Sequence, residues 1–304
     1  MKLSIIVVSW NTRDILADCL ESVYQYPPTD PFELILVDNA STDGSAEMVK
    51  SRFPQARLIE SQDNLGFAQG NNLAVPLCEG EYVLLLNPDT IVKPNALQEL
   101  IQFLDANPKA GAAGSRLLNL DESLQPSCHP RPQLGRELWR LLHFDSIKPY
   151  GRYDMYGWDM SKNREVDVLM GASLMVRKSI LDEIGFLDGD YFMYSEEVDL
   201  CFRLQKAGWT LFYVPSSKVI HLGGQSSKQV AMDMFLQLYL GKLKYFRKHY
   251  GPFAGFVYKL ILLIASLVRL LFTPIAWLQS RPKRDLNLQL VRRYGRLILA
   301  LPGM

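Results

Sequence analysis

Short aliphatic, β-branched runs alternate with stretches of helical periodicity through residues 1–90, and the runs end in polar clusters. Ile5–Ser9, Leu34–Val37, Arg57–Ile59 and Tyr82–Leu86 read as strands. Between them lie a helix capped by Thr12 and running to about Tyr24, a turn at Ser41–Ser45 into a helix ending near Phe53-Pro54, and a helix over Phe67–Leu77. This rhythm predicts an α/β domain with a mostly parallel mixed sheet flanked by helices. Ligands of such sheets bind beyond the carboxyl ends of the strands. Trp10-Asn11, Asp38-Asn39 and Asn87-Pro88-Asp89 fall at those ends, which predicts a nucleotide site.

The second half is less regular. Residues 119–165 are rich in Pro, Arg, Tyr and Trp and predict a loop-rich acceptor region with one helix over Leu134–Leu142. Val166–Arg177 reads as strand with Gly171 and Ala172 at a close-packed point, Glu196–Ala207 as an amphipathic helix, and Leu211–Val214 as a strand leading to His221. Cys19, Cys78, Cys128 and Cys201 are scattered without a C-x-x-C pair, the usage of reduced thiols. The apolar run after Lys2 is too short for a secretory signal and lacks a small-residue cleavage pattern, so the catalytic part is expected in the cytoplasm.

The formal charge of +1 conceals an asymmetry: Lys242–Arg296 holds 12 Lys/Arg and one acid, a net of +11, whereas residues 1–241 carry a net of −10. An acidic body with a basic, apolar tail predicts a domain tethered to a negative surface. Aliphatics interleave the basic residues, which argues against nucleic acid as a partner. Phe253–Leu278 is apolar but interrupted by Lys259, Arg269 and Pro274. A span needs about 20 apolar residues, yet Arg269 near its middle is costly. Basic clusters at Lys242–Lys248 and Arg281–Arg284 flank both sides. The expectation is a domain over residues 1–225 and a helical tail over 226–304. The tail is expected to lie on, or cross once through residues 253–278, the cytoplasmic face of the membrane. A helical subdomain or dimer interface is the other reading of this tail.

Asp38 can accept hydrogen bonds from a base or ribose. Asp89, held at a strand end, suits a hard divalent ion that also binds phosphate oxygens, or else caps the helix starting near Pro94. Glu196, Glu197 and Asp199 fall in the first turn of a helix, where the dipole favours anions; a carboxylate there can also act as a general base on a hydroxyl. His221, after a strand and before Gly223-Gly224, is a loop or core histidine or a metal ligand.

Several segments together resemble glycosyltransferase family 2, in its rhamnosyltransferase-like branch, over residues 3–225. They are Ser4–Asn11, Val37–Ser45, Asn64–Asn72, Leu86–Asp89, Met170–Ala172, Glu196–Leu200 and His221. The resemblance implies a GT-A fold, an inverting single displacement, and Mg²⁺ or Mn²⁺ on the diphosphate of a dTDP- or UDP-sugar, with a glycan or lipid-linked glycan as acceptor. Carried onto this sequence, it implies a nucleotide site of Ser9, Trp10, Asn11, Asp38, Asn39, Gly66, Asn71 and Asn87. Asp89 and His221 would hold the metal, Glu197 would be the base steadied by Glu196, and Gly171, Ala172 and Asp199 would meet the sugars. Two positions depart from the family pattern. Asn87 replaces the first acid of D-x-D, and Glu197 stands where Asp is common after Glu. The Q-x-x-R-W motif of processive synthases is absent, which favours one sugar per encounter. A nucleotidyltransferase would place a Gly-rich basic loop where Trp10-Asn11-Thr12 stands. A catalytically inactive carbohydrate-binding or scaffold protein would not need Asp89, Glu197, Asp199 and His221 together.

Overall fold

The computed structural model describes residues 1–225, 231–273 and 281–304, without the side chains of 281–286. Two compact units emerge: Met1–Arg131 with Asp154–Gln229, and Pro132–Tyr153 with Val230–Met304. Residues 132–153, expected within the acceptor region of the first domain, therefore belong to the second unit.

In chain order the first unit begins β1 (Leu3–Ser9), α1 (Arg13–Gln25), β2 (Phe32–Asp38), α2 (Ser45–Arg52), β3 (Arg57–Glu60), α3 (Gly66–Ala74), β4 (Tyr82–Leu86) and β5 (Thr90–Val92). It continues with α4 (Ala96–Ala106), β6 (Ala110–Leu118) and β7 (Cys128–His129). After the excursion into the second unit, which contributes α5 (Leu134–Leu141), come β8 (Arg164–Glu165), β9 (Val168–Leu169), β10 (Ser173–Arg177), α6 (Lys178–Ile184), α7 (Glu196–Lys206) and β11 (Thr210–His221).

Among the described residues these strands build a nine-stranded sheet, ordered β3-β2-β1-β4-β10-β6-β11-β5 with β8 on β11, and a separate β7-β9 ribbon. The β3-β2-β1-β4 half is parallel. Every residue of β1 and β4 is buried, as central parallel strands with both faces covered require. The other half is mixed, because β10 runs antiparallel to both β4 and β6. The expected strand over Val166–Arg177 is thus two strands, parted at Met170-Gly171-Ala172. There the Ala172 carbonyl accepts from Asn87 N–H at 3.1 Å, which fastens the end of β4 to the start of β10.

Thr12 occupies the cap position of α1 but makes no side-chain cap bond. Its hydroxyl pairs with Ser9 Oγ at 2.9 Å. Asp43 does the capping instead, accepting from Arg13 N–H at 2.8 Å, so the β1 and β2 ends are tied together by a side chain from the next loop. All four cysteines are buried thiols.

The second unit comprises α5, α8 (Ala231–Leu271) and α9 (Arg281–Ala300). Gly251, at φ 89° and ψ 171° and followed by Pro252, breaks α8 into two helical stretches. Inside this unit Glu137 accepts from Lys242 Nζ at 2.8 Å and from Arg140 at 2.8 Å. Helix α8 is long and apolar enough to cross a membrane. Phe253, Phe256, Leu260, Ile264, Leu267 and Leu271 recur on it at helical spacing and are all exposed, whereas Ala254, Tyr258, Ile261, Leu262 and Ala265 are buried. One face is packed and the opposite face is a bare apolar stripe. Residues 274–278 of the expected membrane segment, Pro274 among them, and the side chains of Arg281, Lys283 and Arg284 lie outside the described residues.

Candidate active site

The first part of the site is made by the ends of β1 and β2. Asp38 is buried; Oδ2 accepts from Ser41 N–H at 3.0 Å, while Oδ1 has no protein partner. A buried acceptor left unpaired costs roughly 1–3 kcal/mol, so this oxygen is prepared for a donor from outside the chain. Asn71 is similar: its amide nitrogen donates to Phe67 O at 2.8 Å and its Oδ1 is left over. Trp10 sits half-buried at the end of β1.

The neighbouring polar residues hold the frame. Asn11 Oδ1 accepts from Thr42 N–H at 2.8 Å. Asn39 donates to Gly66 O at 3.0 Å and accepts from Leu65 N–H at 3.2 Å. Ser9 is engaged with Thr12. Of the expected nucleotide residues, Ser9, Asn11 and Asn39 therefore position loops, and Asp38 and Asn71 keep an open acceptor.

Helix α3 then reaches across to the loop before α7. Phe67 N–H donates to Phe192 O at 2.8 Å, Gln69 to Gly189 O at 2.9 Å and Asn72 to Leu187 O at 2.7 Å. Gly66, at φ 76°, makes the approach feasible, since a Cβ there would lie 2.2 Å from Phe192 O. The clamped loop ends in Tyr194 (φ 69°) and Ser195 (φ 75°), two consecutive non-glycine residues in the left-handed region. Such strain persists where surroundings over-determine it, commonly at functional sites. It delivers Glu196 and Glu197 at the first turn of α7. A Cβ on Gly171 would lie 3.5 Å from Phe67 and 3.7 Å from Glu197 Cβ, so the Met170–Ala172 turn, the Asn64–Asn72 motif and Glu197 meet at one point.

The two glutamates differ in setting. Glu196 is buried, its Oε2 lacks a partner, and burial followed by the charge of Glu197 holds its carboxyl well above the ordinary glutamate range. Glu197 is half-buried. Asp199, expected at the sugar, lies at the first turn of α7 with its carboxylate turned to Arg203. It is fully buried and accepts from Arg203 Nε at 2.7 Å, and Arg203 also binds the carbonyls of Ile184, Gly185 and Phe186. Its carboxylate is committed to an ion pair that organises the loop after α6.

Asp89 and His221 form the remaining corner. Both are buried, with Nε2 3.4 Å from Asp89 Oδ1 and also 3.4 Å from Asn87 Nδ2. Burial opposes ionisation of Asp89, but His221 and the Gln225 N–H outweigh it and keep the carboxyl below the ordinary aspartate range. Gln125, which sequence reasoning missed, orients the ring. Its amide nitrogen donates to His221 O at 3.0 Å and Asn119 Oδ1 at 3.1 Å, leaving Oε1 to face His221 Nδ1 at 2.6 Å. The Nδ1 atom therefore carries a proton, and a neutral ring turns its Nε2 lone pair toward the Asp89 carboxylate. A cation shared by the pair makes this juxtaposition favourable. Among the described residues no group of three or more His, Cys, Asp or Glu forms a self-sufficient metal site. One oxygen and one nitrogen donor suit an ion that completes its shell on phosphate oxygens and water.

A mixed α/β sheet with acidic and amide groups gathered at its strand ends is the architecture of the GT-A nucleotide-sugar enzymes. The fold is similar to that of mannosyltransferase PcManGT from Pyrobaculum calidifontis, solved with GDP-Man and Mn²⁺, at a TM-score of 0.59 and 18% identity over 98% of this chain and 87% of that one. The family profile described as Glycosyl transferase family 2 matches residues 4–200, and the chain belongs to that family. It is 32% identical over 210 residues to N-acetylglucosaminyl-diphospho-decaprenol L-rhamnosyltransferase of Mycobacterium tuberculosis, covering 63% of this chain and 66% of the relative. It is 30% identical over 185 residues to rhamnosyltransferase WbbL of Escherichia coli, covering 56% and 66%. The chain thus spans just under two thirds of the length of these relatives.

Proposed function

We propose that the protein is an inverting glycosyltransferase that moves a sugar, rhamnose being the leading choice, from a dTDP- or UDP-sugar to a hydroxyl of a lipid-linked glycan at the cytoplasmic face of the membrane. The observation that carries this reading is the meeting of Gly171, Phe67 and Glu197, which joins the strand-end nucleotide pocket to a carboxylate. The relatives' names supply the sugar and the lipid carrier.

Trp10, Asp38 and Asn71 receive the base and ribose, the orphan oxygens of Asp38 and Asn71 accepting their donors. Asp89 and His221 hold Mg²⁺ or Mn²⁺, which when bound offsets the charge of the departing diphosphate. Asn87 bonds both Ala172 and the His221 corner, so it positions where the family's first acid would ligate. Glu197 takes the proton of the acceptor hydroxyl as that oxygen attacks the anomeric carbon opposite the diphosphate. Burial, and then the charge of Glu197, oppose ionisation of Glu196, which limits the negative charge beside the base. Gly171 and Ala172 leave the space in which the sugars meet. The apolar stripe of α8 and the tail's positive charge bring the enzyme to an anionic leaflet.

A panel of nucleotide-sugars, each with Mn²⁺ and the full chain, tests the reading by thermal shift, because a bound donor raises the melting temperature by mass action. One pyrimidine nucleotide-sugar is expected to stabilise the protein in a metal-dependent way. A flat response across the panel would defeat it.

A further inference from the structure

The second unit holds a cavity of about 660 Å³ that the transfer chemistry does not use. Its size falls within the roughly 300–1,000 Å³ of small-molecule sites. Leu142, Val268, Phe272 and Leu290 give it an apolar wall, Arg269 and His143 are its cationic and titratable groups, and no acid is among the described lining residues. Arg269 is steadied by the Tyr294 ring, 4.8 Å from its centroid, and by no carboxylate among the described residues. Burial and then the charges of Arg269 and Arg140 hold His143 below the ordinary histidine range, the signature of a positive, partly dry environment. Phe272 lines the cavity and is also 59% exposed, next to Leu271 at the end of the bare stripe of α8. The cavity therefore opens where the helix is apolar to the outside.

We propose that this cavity seats the apolar chain of one phosphate-bearing, single-chain amphiphile, a polyisoprenoid phosphate or diphosphate, with Arg269 beside its anionic group. The inference rests on the lipid-linked acceptor of the proposed function. An apolar wall alone would suit any hydrocarbon. A guanidinium with no carboxylate beside it among the described residues favours an anion, and it is planar and forked for paired phosphate oxygens. One cavity accommodates one chain, which separates this ligand from two-chain phospholipids spread along the stripe.

The test uses the full chain in a neutral detergent and geranylgeranyl phosphate as probe, titrated calorimetrically. Competitors are inorganic phosphate, geranylgeraniol and phosphatidylglycerol vesicles. One-to-one binding is expected, weakened at least tenfold by Arg269→Gln and by the cavity-filling Leu290→Trp, and largely kept by Arg269→Lys; phosphate alone should not compete. Circular dichroism melting confirms that each variant is folded. Equal affinity in Arg269→Gln and Leu290→Trp, competition by free phosphate matching that of the lipid, or full displacement by phosphatidylglycerol would overturn the seat. Nucleotide-sugar hydrolysis is measured alongside. Turnover without lipid binding sinks the seat alone, and lipid binding without turnover sinks the transferase reading alone.

Discussion

Gln125 Oε1 and His221 Nδ1 lie 2.6 Å apart, and this bond decides which ring nitrogen faces Asp89. Partners of a ligating histidine fix its tautomer and orientation, and losing one typically costs about 10–100-fold in metal affinity. Gln125→Leu should weaken Mn²⁺ binding by a factor in that range while leaving donor affinity measured without metal unchanged. Titration followed by electron paramagnetic resonance reads the difference; wild-type Mn²⁺ affinity in the variant would remove His221 from the metal site.

Gly66 bears on the site through the backbone. Ala in its place must hold a left-handed conformation costing about 1–2 kcal/mol, and its Cβ would meet Phe192 O. Gly66→Ala should lower stability by at least that amount in urea unfolding and impair turnover more than donor binding, because the displaced loop leads directly into Glu196 and Glu197 at the start of α7. A variant as stable and active as wild type would show that the α3 clamp is dispensable.

Glu196 gives an alkaline signature. Its folded-state pKa is raised by burial and by Glu197. The stability tied to its proton is therefore complete below the ordinary glutamate value and is lost as pH rises through the raised one. Glu196→Gln has no proton to lose. It should match wild type near pH 5, melt higher at pH 8, and reduce transfer without abolishing it. Identical melting curves from pH 5 to 9 would mean that Glu196 ionises freely.

Glu137 behaves in the opposite sense within the second unit. Burial opposes its ionisation, but Lys242 and Arg140 overcome this and depress its pKa to about 2. Its contribution is present above the ordinary glutamate value of 4.5 and is lost as pH falls from there toward about 2. Glu137→Gln takes the buried carboxylate away from Lys242 and Arg140 and should destabilise the protein by on the order of 3 kcal/mol at pH 7, with the deficit shrinking in acid. A constant deficit from pH 7 to 3 would assign the loss to packing.

The parallel half of the sheet was legible because β1, β2 and β4 are continuous aliphatic runs, the pattern of strands covered on both faces. Strand β6 was not, since AGAAGSRLL has no β-branched residue; its extended form is imposed by pairing with β10 and β11, and its small residues admit close neighbours such as Leu169 and Trp209 beside Gly114 and Gly111. The sequence motifs marked candidate residues at the strand ends and at the start of α7. They did not separate Asp38, with an open oxygen, from Asn39, whose amide is spent on Gly66 and Leu65. Asp199 looked like its acidic neighbours until Arg203, one helical turn on, took its carboxylate. Gln125 had no local signal, because its partner His221 is 96 residues away. The grouping of residues 132–153 with the tail depends on pairs such as Glu137 with Lys242, which no local pattern announces.

Glu197 is the proton acceptor of the proposed transfer, and Glu197→Gln under single-turnover conditions, with donor binding followed in parallel, tests that role most directly. Transfer should fall by roughly 10²–10⁴-fold while the donor Kd stays within about twofold of wild type. A variant that transfers sugar at close to the wild-type rate would contradict the assignment of the base and the site built around it.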